Sequence, residues 1–214
     1  MDPQVEFESH AVRGRFNAAF LAGLDGYINW LIREHKARIL SDVPDTVVEV
    51  GSGVGANLRY MRGGTRLIAV EPNPHMHPGL RRRAARHNVE LDIRSVEGER
   101  MDLPDGSVDF VLSTLVLCTV PDPSIVVAEI RRILRPGGRY AFLEHVAATP
   151  GSVLRRLQRG VRRPWAWTFE GCSCERDLAT VIRSAGFSSV DMERYRLRSP
   201  FIPVNTQIAG IAVR

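Results

Sequence analysis

The chain is poor in cysteine and lysine and has no long apolar run. Its three cysteines are Cys118, Cys172 and Cys174, too few for a disulfide framework. No stretch of 18 apolar residues is present, so no transmembrane helix is predicted. The N-terminus is acidic at Asp2 and Glu6, where a signal peptide would be basic. We therefore expect a soluble, cytoplasmic protein.

Lysine is nearly absent, so the net charge of +5 comes from arginine. Lys36 is the only lysine among 29 basic residues. Such a bias is typical of GC-rich bacterial coding sequences and says little about function. Arg81–Arg83 and Arg86 predict a solvated helix face. Residues 153–163 alternate arginine with apolar residues before Trp165 and Trp167, and this basic amphipathic segment predicts a lid or pocket wall. A membrane-surface segment and a plain solvated helix are the alternatives.

Length and periodicity predict one α/β domain over residues 1–214, because 44% hydrophobic content supplies a full core. Alternating strands and helices predict a Rossmann-like, doubly wound, seven-stranded sheet with an antiparallel last strand. The expected strands are 46–50, 67–71, 90–94, 108–113, 138–145, 190–197 and 207–213, and the expected helices are 56–61, 77–87, 124–134 and 175–185. Helical periodicity over 8–39 predicts a cap (1–40) on the core (41–214), with 147–174 as the lid or substrate segment.

The most informative motif is a glycine-rich turn after the first strand. Thr46–Val50 is followed by Gly51, Gly53 and Gly55, and the next strand ends in Glu71. The glycines allow a sharp turn and a close approach of backbone to ligand. A carboxylate at the end of the second strand is placed to accept hydrogen bonds from ribose hydroxyls. The third glycine comes one residue earlier than in the dinucleotide fingerprint G-x-G-x-x-G.

This turn resembles motif I of the class I S-adenosylmethionine (SAM)-dependent methyltransferases. Further segments resemble that family in the expected order, and the resemblance is close over residues 45–146. They are 95–99 with 103–109, 109–113, 117–120 and 134–140. The resemblance implies that SAM is the cofactor and that Glu97 and Gly98 contact its adenine. The full implied cofactor set is Glu49, Gly51, Ser52, Gly53, Gly55, Glu71, Pro72, Glu97, Gly98, Glu99, Ser113 and Thr114.

The candidate catalytic residues end the fifth strand. His145 titrates near neutrality and is a candidate general base, although a histidine with a structural role fits the pattern equally. Glu144 is a candidate for orienting substrate or His145, but strand alternation sends the two side chains to opposite faces. Cys118 is a candidate substrate contact or a packed thiol.

Further substrate contacts are expected from Tyr27, Trp30 and Cys172. No metal is expected, because Cys172 and Cys174 have no nearby histidine or further cysteine to complete a tetrahedron.

Three segments narrow the resemblance to one branch of the family. Residues 114–118, 143–148 and 169–172 resemble the methyltransferase-like proteins that methylate small thiols. The chain differs from them by Glu170 in place of aspartate, and we expect it to lack their N-terminal membrane anchor. These differences bear on substrate and location and leave the cofactor site untouched.

We therefore expect SAM-dependent methylation of a small-molecule nucleophile, with a thiol as one candidate. Phenols, quinols and natural products methylated on oxygen or carbon are alternatives, as are a non-methylating SAM-binding cyclase and a SAM sensor. Nucleic acid is not an expected partner, because stacking aromatics in a basic groove are missing. Peripheral membrane contact through 153–167 stays open, and the sequence does not indicate an oligomeric state.

Overall fold

The computed structural model describes residues 11–169 and 171–214, with side chains from residue 23 onward. Residues 1–10 of the predicted cap, the side chains of Phe16 and Phe20, and Glu170 lie outside this description. In the described part, seven strands form one sheet. The strands are β1 (Thr46–Val50), β2 (Arg66–Val70), β3 (Glu90–Arg94), β4 (Val108–Thr114), β5 (Leu134–His145), β6 (Ser189–Arg196) and β7 (Thr206–Val213). Their order across the sheet is β3-β2-β1-β4-β5-β7-β6. The doubly wound fold expected from the sequence is confirmed.

Five neighbouring strands, β3, β2, β1, β4 and β5, are parallel, and the apolar residues of β1, β2, β4 and β5 are buried on both faces. β7 runs antiparallel to β5 and β6 and lies between them, so only β6 is at that edge. The antiparallel last strand expected from the sequence is confirmed, and it pairs with β6 at this edge of the sheet.

Helices cover both faces of the sheet. On one face α3 and α5 bury Val126, Ile130 and Ile182, and on the other α1 and α2 bury Ile32 and Leu80. The helices are α1 (Ala11–Ile39), α2 (His77–His87), α3 (Pro123–Ile133), α4 (Val153–Thr168) and α5 (Leu178–Ser184). None of the described helices is both long and apolar enough to cross a membrane.

The helix expected at 56–61 is a single 3-10 turn, Leu58–Tyr60. Gly63 and Gly64 follow almost at once, and Gly64 has a φ of +87°, which ends helical geometry. The chain then enters β2 at Arg66, so there is room for only one turn. As a result the glycine-rich turn itself, rather than a long helix, forms the wall above β1.

Side-chain caps fix where α3 and α4 begin. Asp122 accepts a hydrogen bond from the backbone N–H of Ser124 at 2.8 Å, and Pro123 occupies the first helical turn. Ser152 accepts from the N–H of Arg155 at 3.1 Å. The second cap sets the direction in which α4 leaves the loop after β5. It therefore places Trp165, near the far end of α4, over the sheet edge.

Candidate active site

A cavity of about 300 Å³ lies beyond the carboxyl ends of the central strands. Val50 ends β1 and Gly51 follows it, Val70 ends β2 and Glu71 follows it, and His145 ends β5. Ligands of open α/β sheets bind at this edge, where the strand order reverses around β1 and β4. The cavity is thus where the sequence predicted chemistry to occur.

Gly53 forms an open part of the cavity wall. Its φ is +54°, a conformation that favours glycine, and no atom lies within 4 Å of where a Cβ would project. Gly51, with a φ of +69°, also lines the cavity, but a Cβ there would collide with the side chain of Val116. One glycine therefore leaves space for a ligand, and the other allows the loop after β4 to pack against the turn.

Glu71 is fixed beside this turn. One carboxylate oxygen accepts a hydrogen bond from the backbone N–H of Gly53 at 2.7 Å, and the other accepts from the N–H of Asn73 at 2.9 Å. The side chain is buried yet lines the cavity. Pro72 lines it as well. A rigid carboxylate beside an open glycine is the arrangement that a ribose with two free hydroxyls requires.

Glu97, Gly98 and Glu99 line the cavity, as the sequence predicted. Gly98 approaches Val50 so closely that a Cβ would lie 3.1 Å from its Cγ1. One carboxylate oxygen of Glu99 is buried with no hydrogen-bond partner among the described residues. Burial raises the pKa of Glu99. This carboxylate oxygen of Glu99 is therefore available to accept a hydrogen bond from a ligand.

Five of the predicted cofactor residues do not line the cavity: Glu49, Ser52, Gly55, Ser113 and Thr114. They lie beneath the glycine-rich turn and support it through hydrogen bonds and packing. Asn57 donates to the Glu49 carboxylate at 2.5 Å and to the Thr114 hydroxyl at 2.8 Å. Burial raises the pKa of Glu49 to about 7. Strand alternation and loop packing turn these five inward, so they do not face the cavity, and direct cofactor contact by them stays a prediction.

Glu144 does not line the cavity either. Its carboxylate is fully buried and accepts from the Ser113 hydroxyl at 3.0 Å and from the backbone N–H groups of Val116 and Leu117 at 3.3 and 3.2 Å. Burial raises the pKa of Glu144 to about 7. The predicted catalytic role is corrected: Glu144 positions the loop after β4, because alternation along β5 points it away from His145.

His145, Cys118 and Cys172 meet at one end of the cavity. The Nε2 atom of His145 lies 3.2 Å from the Cys172 sulfur, and the two sulfurs lie 3.6 Å apart. Ligand atoms of all three fall within 4.8 Å of one another. Each member comes from one of the three segments that resemble the thiol-methylating branch. The structure brings together residues that stand 27 and 54 positions apart in the chain.

The three groups perturb one another. The hydrogen bond with Cys118 and the neighbouring His145 lower the pKa of the Cys172 thiol well below its usual range, against the effect of burial. The same hydrogen bond and burial raise the pKa of the Cys118 thiol. Burial opposes the charged ring of His145, but Cys172 outweighs it and the pKa of His145 is raised. Cys172 is therefore the more acidic of the two thiols.

This cluster has the ligand types of a metal site, although no metal was expected from the sequence. The groups close to Cys172 in the sequence do not supply these ligands. Cys174, the sequence neighbour, points elsewhere, and its thiol donates to the backbone oxygen of Gln158 at 3.6 Å. The partners of Cys172 instead come from the ends of β4 and β5. In the sequence, only the predicted strand order indicates that Cys118 and His145 lie close together, because it places the ends of β4 and β5 side by side.

Tyr27 and Trp30 were wrongly expected in the pocket. They are 37% and 59% exposed and stack on each other with ring centroids 6.1 Å apart. The neighbouring stripe of α1 lines the cavity, through Leu24, Ile28, Leu31 and Ile32. The three- and four-residue spacing of those apolar side chains was the signal for the cavity face of the helix.

Two further walls complete the cavity. Trp165 and Phe169 close it from α4, and the Trp165 indole N–H donates to the Cys172 sulfur at 3.4 Å. Through these contacts the end of α4 forms a wall of the cavity, whereas Val153 and Trp167 on the same helix are exposed. The segment between β6 and β7 lines another side through Phe201 and Val204. No motif marked that segment, because its position follows from β7 pairing with β5.

Comparison with known proteins finds that the chain is similar to methyltransferases. A family model described as a methyltransferase domain matches residues 48–142. The human thiol S-methyltransferase TMT1B is 38% identical over 171 residues, which are 78% of this chain and 70% of the relative. The human thiol S-methyltransferase TMT1A is 34% identical over 172 residues, 79% of this chain and 70% of the relative.

Solved structures share the fold at low identity. A SAM-dependent methyltransferase of Thermotoga maritima, described as a possible histamine N-methyltransferase, superposes with a TM-score of 0.65 at 19% identity, covering 95% of this chain and 98% of the other. The [4+2]-cyclase SpnF superposes with a TM-score of 0.65 at 16% identity, covering 89% and 80%. At these identities the superpositions show the fold alone.

Proposed function

The chain belongs to the class I SAM-dependent methyltransferases, in the thiol methyltransferase branch, and we propose that it transfers the SAM methyl group to the sulfur of a small thiol. The supporting observation is the cavity, which has a glycine-and-carboxylate end and a sulfur-and-imidazole end. One end fits a nucleoside, and the other fits a nucleophile that reacts as an anion. A two-ended cavity of this kind holds both reactants at once.

The residues at the first end fit SAM. Gly53 leaves an open cradle, Glu71 presents a fixed carboxylate to ribose hydroxyls, and Glu99 has an unpaired buried oxygen. Apolar contacts from Val50 and Val70 would pack against the rest of the nucleoside. When bound there, SAM supplies an electrophilic methyl group on a positively charged sulfur. The protein's contribution is to hold that methyl group in line with the acceptor, which is where most of the acceleration in such reactions arises.

The lining limits the acceptor to a small molecule without strong negative charge. None of the described residues that line the cavity is lysine or arginine, so a phosphate group would find no cation there. The walls near the acceptor end are apolar, through Val120, Trp165 and Phe169. A neutral, partly apolar thiol fits this environment and can be deprotonated in place. The thiolate is the reactive form of sulfur.

His145 is the group we propose to assist that deprotonation. Of the described histidines it is the only one that lines the cavity, and it is 4% exposed. A ring at hydrogen-bond distance from the acceptor can take or stabilise its proton in the transition state. Phenols and quinols need the same assistance, so methylation of oxygen is the second candidate.

An acceptor screen with labelled SAM tests the proposal. Purified protein is incubated with alkyl thiols, aryl thiols, phenols and quinols, and S-adenosylhomocysteine and methylated product are measured for each. We expect turnover with thiols to exceed turnover with the matching alcohols and phenols. Turnover restricted to phenols or quinols would replace sulfur with oxygen as the acceptor. Binding of SAM without any S-adenosylhomocysteine would favour the cyclase or sensor alternatives.

A further inference from the structure

Two thiols and one imidazole converge on a single point at the acceptor end of the cavity. We propose that Cys118, His145 and Cys172 bind a thiophilic divalent cation of the zinc class, whose fourth coordination position receives the acceptor thiolate. The cation-binding part stands on the geometry of the three side chains. The part about the acceptor rests on the proposed function and identifies how that function is assisted.

The spacing of the three groups matches a tetrahedral site. Zinc binds thiolate at about 2.3 Å and imidazole at about 2.0–2.1 Å, so tetrahedral edges are roughly 3.8 Å between sulfurs and 3.6 Å between sulfur and nitrogen. The structure has 3.6 Å between the sulfurs of Cys118 and Cys172, and 3.2 Å from Cys172 to Nε2 of His145. Movements of a few tenths of an ångström would bring these two edges to zinc geometry, and the ligand atoms of the third pair, Cys118 and His145, lie within 4.8 Å of each other.

One ligand sits on a strand, and hydrogen bonds hold the loops that carry the other two. His145 ends β5 and pairs with Gln207 of β7. Cys118 follows the loop that Glu144 holds through the N–H of Leu117. The backbone N–H of Ser173 donates to the backbone oxygen of Cys118 at 2.8 Å, which joins the segment carrying Cys172 directly to that loop. All three side chains are buried, at 2%, 4% and 8% exposure for Cys118, His145 and Cys172. Such a preformed set needs little reorganisation to bind a cation.

One coordination position remains open toward the cavity. All three ligands line it, and no fourth cysteine, histidine or carboxylate joins the group among the described residues. Three protein ligands with one open position are the pattern of catalytic zinc, whereas structural zinc has four. The Trp165 indole N–H, 3.4 Å from the Cys172 sulfur, supplies an outer hydrogen bond of the kind that orients a metal ligand.

The chemical step balances without a redox partner. An acceptor R–SH binds as R–S⁻ at the open position and releases its proton to solvent. The bound sulfur then forms a bond to the methyl carbon as the bond from that carbon to the sulfonium sulfur breaks. That electron pair stays on the cofactor sulfur and gives neutral S-adenosylhomocysteine. The product R–S–CH₃ is a neutral, weak ligand and leaves. In this arrangement His145 assists the deprotonation as a ligand, because the cation that it holds lowers the pKa of the acceptor thiol.

Cobalt(II) is the probe for the binding part. Full-length protein is reduced, stripped with a chelator and titrated with Co²⁺ while its absorption spectrum is recorded. We expect one equivalent to produce thiolate-to-cobalt charge transfer and the intense d–d bands of a tetrahedral site, with zinc displacing it. Cys172→Ser and Cys118→Ser should weaken binding roughly 100-fold or more, because a direct ligand matters at least as much as its outer partners.

Cys174→Ser is the matched control, since this buried thiol lies two residues from Cys172 but outside the cluster. It should keep the wild-type spectrum. Thermal unfolding without metal checks that each variant folds, and His145→Ala provides a second ligand deletion if a cysteine variant fails to fold. A titration without charge-transfer bands, or bands that persist in both Cys172→Ser and His145→Ala, would overturn the cation site.

Activity and spectra together separate the two proposals. We expect zinc to raise kcat for a thiol at least tenfold over the stripped protein, and the acceptor thiol alone to shift the cobalt d–d bands. If the stripped protein methylates thiols at the full rate, the cation inference is wrong and the proposed function stands. If cobalt binds as expected but no thiol is methylated under any condition, the proposed function fails and the cation site stands.

Discussion

The carboxylate of Glu71 accepts a hydrogen bond from the backbone N–H of Gly53 at 2.7 Å. This contact joins the end of β2 to the glycine-rich turn after β1, the two features that marked the sequence as a nucleotide-binding chain. A carboxylate oxygen has two lone pairs, so each can bind a backbone N–H and still accept from a ribose hydroxyl. Glu71 is therefore placed to shape the turn and to bind the cofactor.

Replacing Glu71 by alanine should weaken SAM binding roughly 10- to 100-fold. A hydrogen bond to a charged group contributes about 1.5–3 kcal/mol, and the variant also loses the contact that fixes Gly53. Calorimetric titration with SAM measures the loss. Glu90→Ala is the control, because Glu90 begins β3 at the opposite end of the strands from the cavity. Equal affinities for the Glu71→Ala variant and the wild type would contradict the assignment.

Much of the fold could be predicted from the sequence because the strands are short, β-branched and separated by turn residues. Thr46–Val50 and Glu90–Arg94 were placed to the residue. The periodicity of hydrophobic residues and the residues that end helices are local features, so both can be recognised in the sequence. The order of the last two strands was less accessible, since β7 lies between β5 and β6 through pairing that no local pattern records.

The candidate site was predictable where a motif faces the ligand and less so where side chains point inward. Glu71 and Gly53 line the cavity as expected, whereas Glu49 is buried beneath the turn with its carboxylate on Asn57. Whether a motif residue touches a ligand depends on the loop's path, which spacing does not give. The meeting of Cys118 with Cys172 depends on two loops packing together, so it required the three-dimensional structure.

His145→Ala should lower kcat for a thiol by roughly 10²–10⁴ while SAM affinity stays near wild type. The physical reason is that help with the acceptor's proton is felt only on the way to the transition state. The loss should shrink as the pH rises past about 8.5, where a free thiol ionises unaided. Steady-state kinetics from neutral to alkaline pH measure it.

His35→Ala serves as the control for that variant, because the His35 ring stacks on Tyr195 and does not line the cavity. A deficit for His145→Ala that stays constant across the pH range would instead mark a structural role for this ring.

Trp165 and Trp167 lie two residues apart on α4 and differ in what they face. Trp165 lines the cavity, whereas Trp167 is 70% exposed. Trp165→Ala should raise the KM of the acceptor about tenfold or more, because it removes the wall over the acceptor end and the hydrogen bond to Cys172. Trp167→Ala should leave kinetics with soluble acceptors unchanged. Equal effects of the two substitutions would remove the distinction between pocket wall and surface.

Glu49 should make the folded protein less stable as the pH rises. Burial raises its pKa from 4.5 to about 7 in the folded state. Between these values the unfolded chain releases the proton while the folded protein retains it, so the free energy of unfolding falls through this window. Above pH 7 the loss is complete. One pKa unit corresponds to about 1.4 kcal/mol, so the loss is at most about 3 kcal/mol.

Denaturant unfolding at several pH values checks this effect. Glu49→Gln removes the titrating group, and its stability should decline less between pH 4.5 and 7 than that of the wild type. Parallel stability curves for the two proteins would show that Glu49 does not titrate in this range.

The proposed reaction is methyl transfer from SAM to a thiol in the cavity between Gly53 and Cys172. The most direct measurement supplies SAM with a trideuteromethyl group and follows the label by mass spectrometry. We predict a labelled S-methyl product and S-adenosylhomocysteine in equal amounts. Gly53→Ala should lose this turnover, because the new side chain enters the open cradle, whereas Gly64→Ala, which also replaces an open glycine of positive φ, should retain it. Saturating SAM binding with no labelled thioether from any thiol would contradict the account.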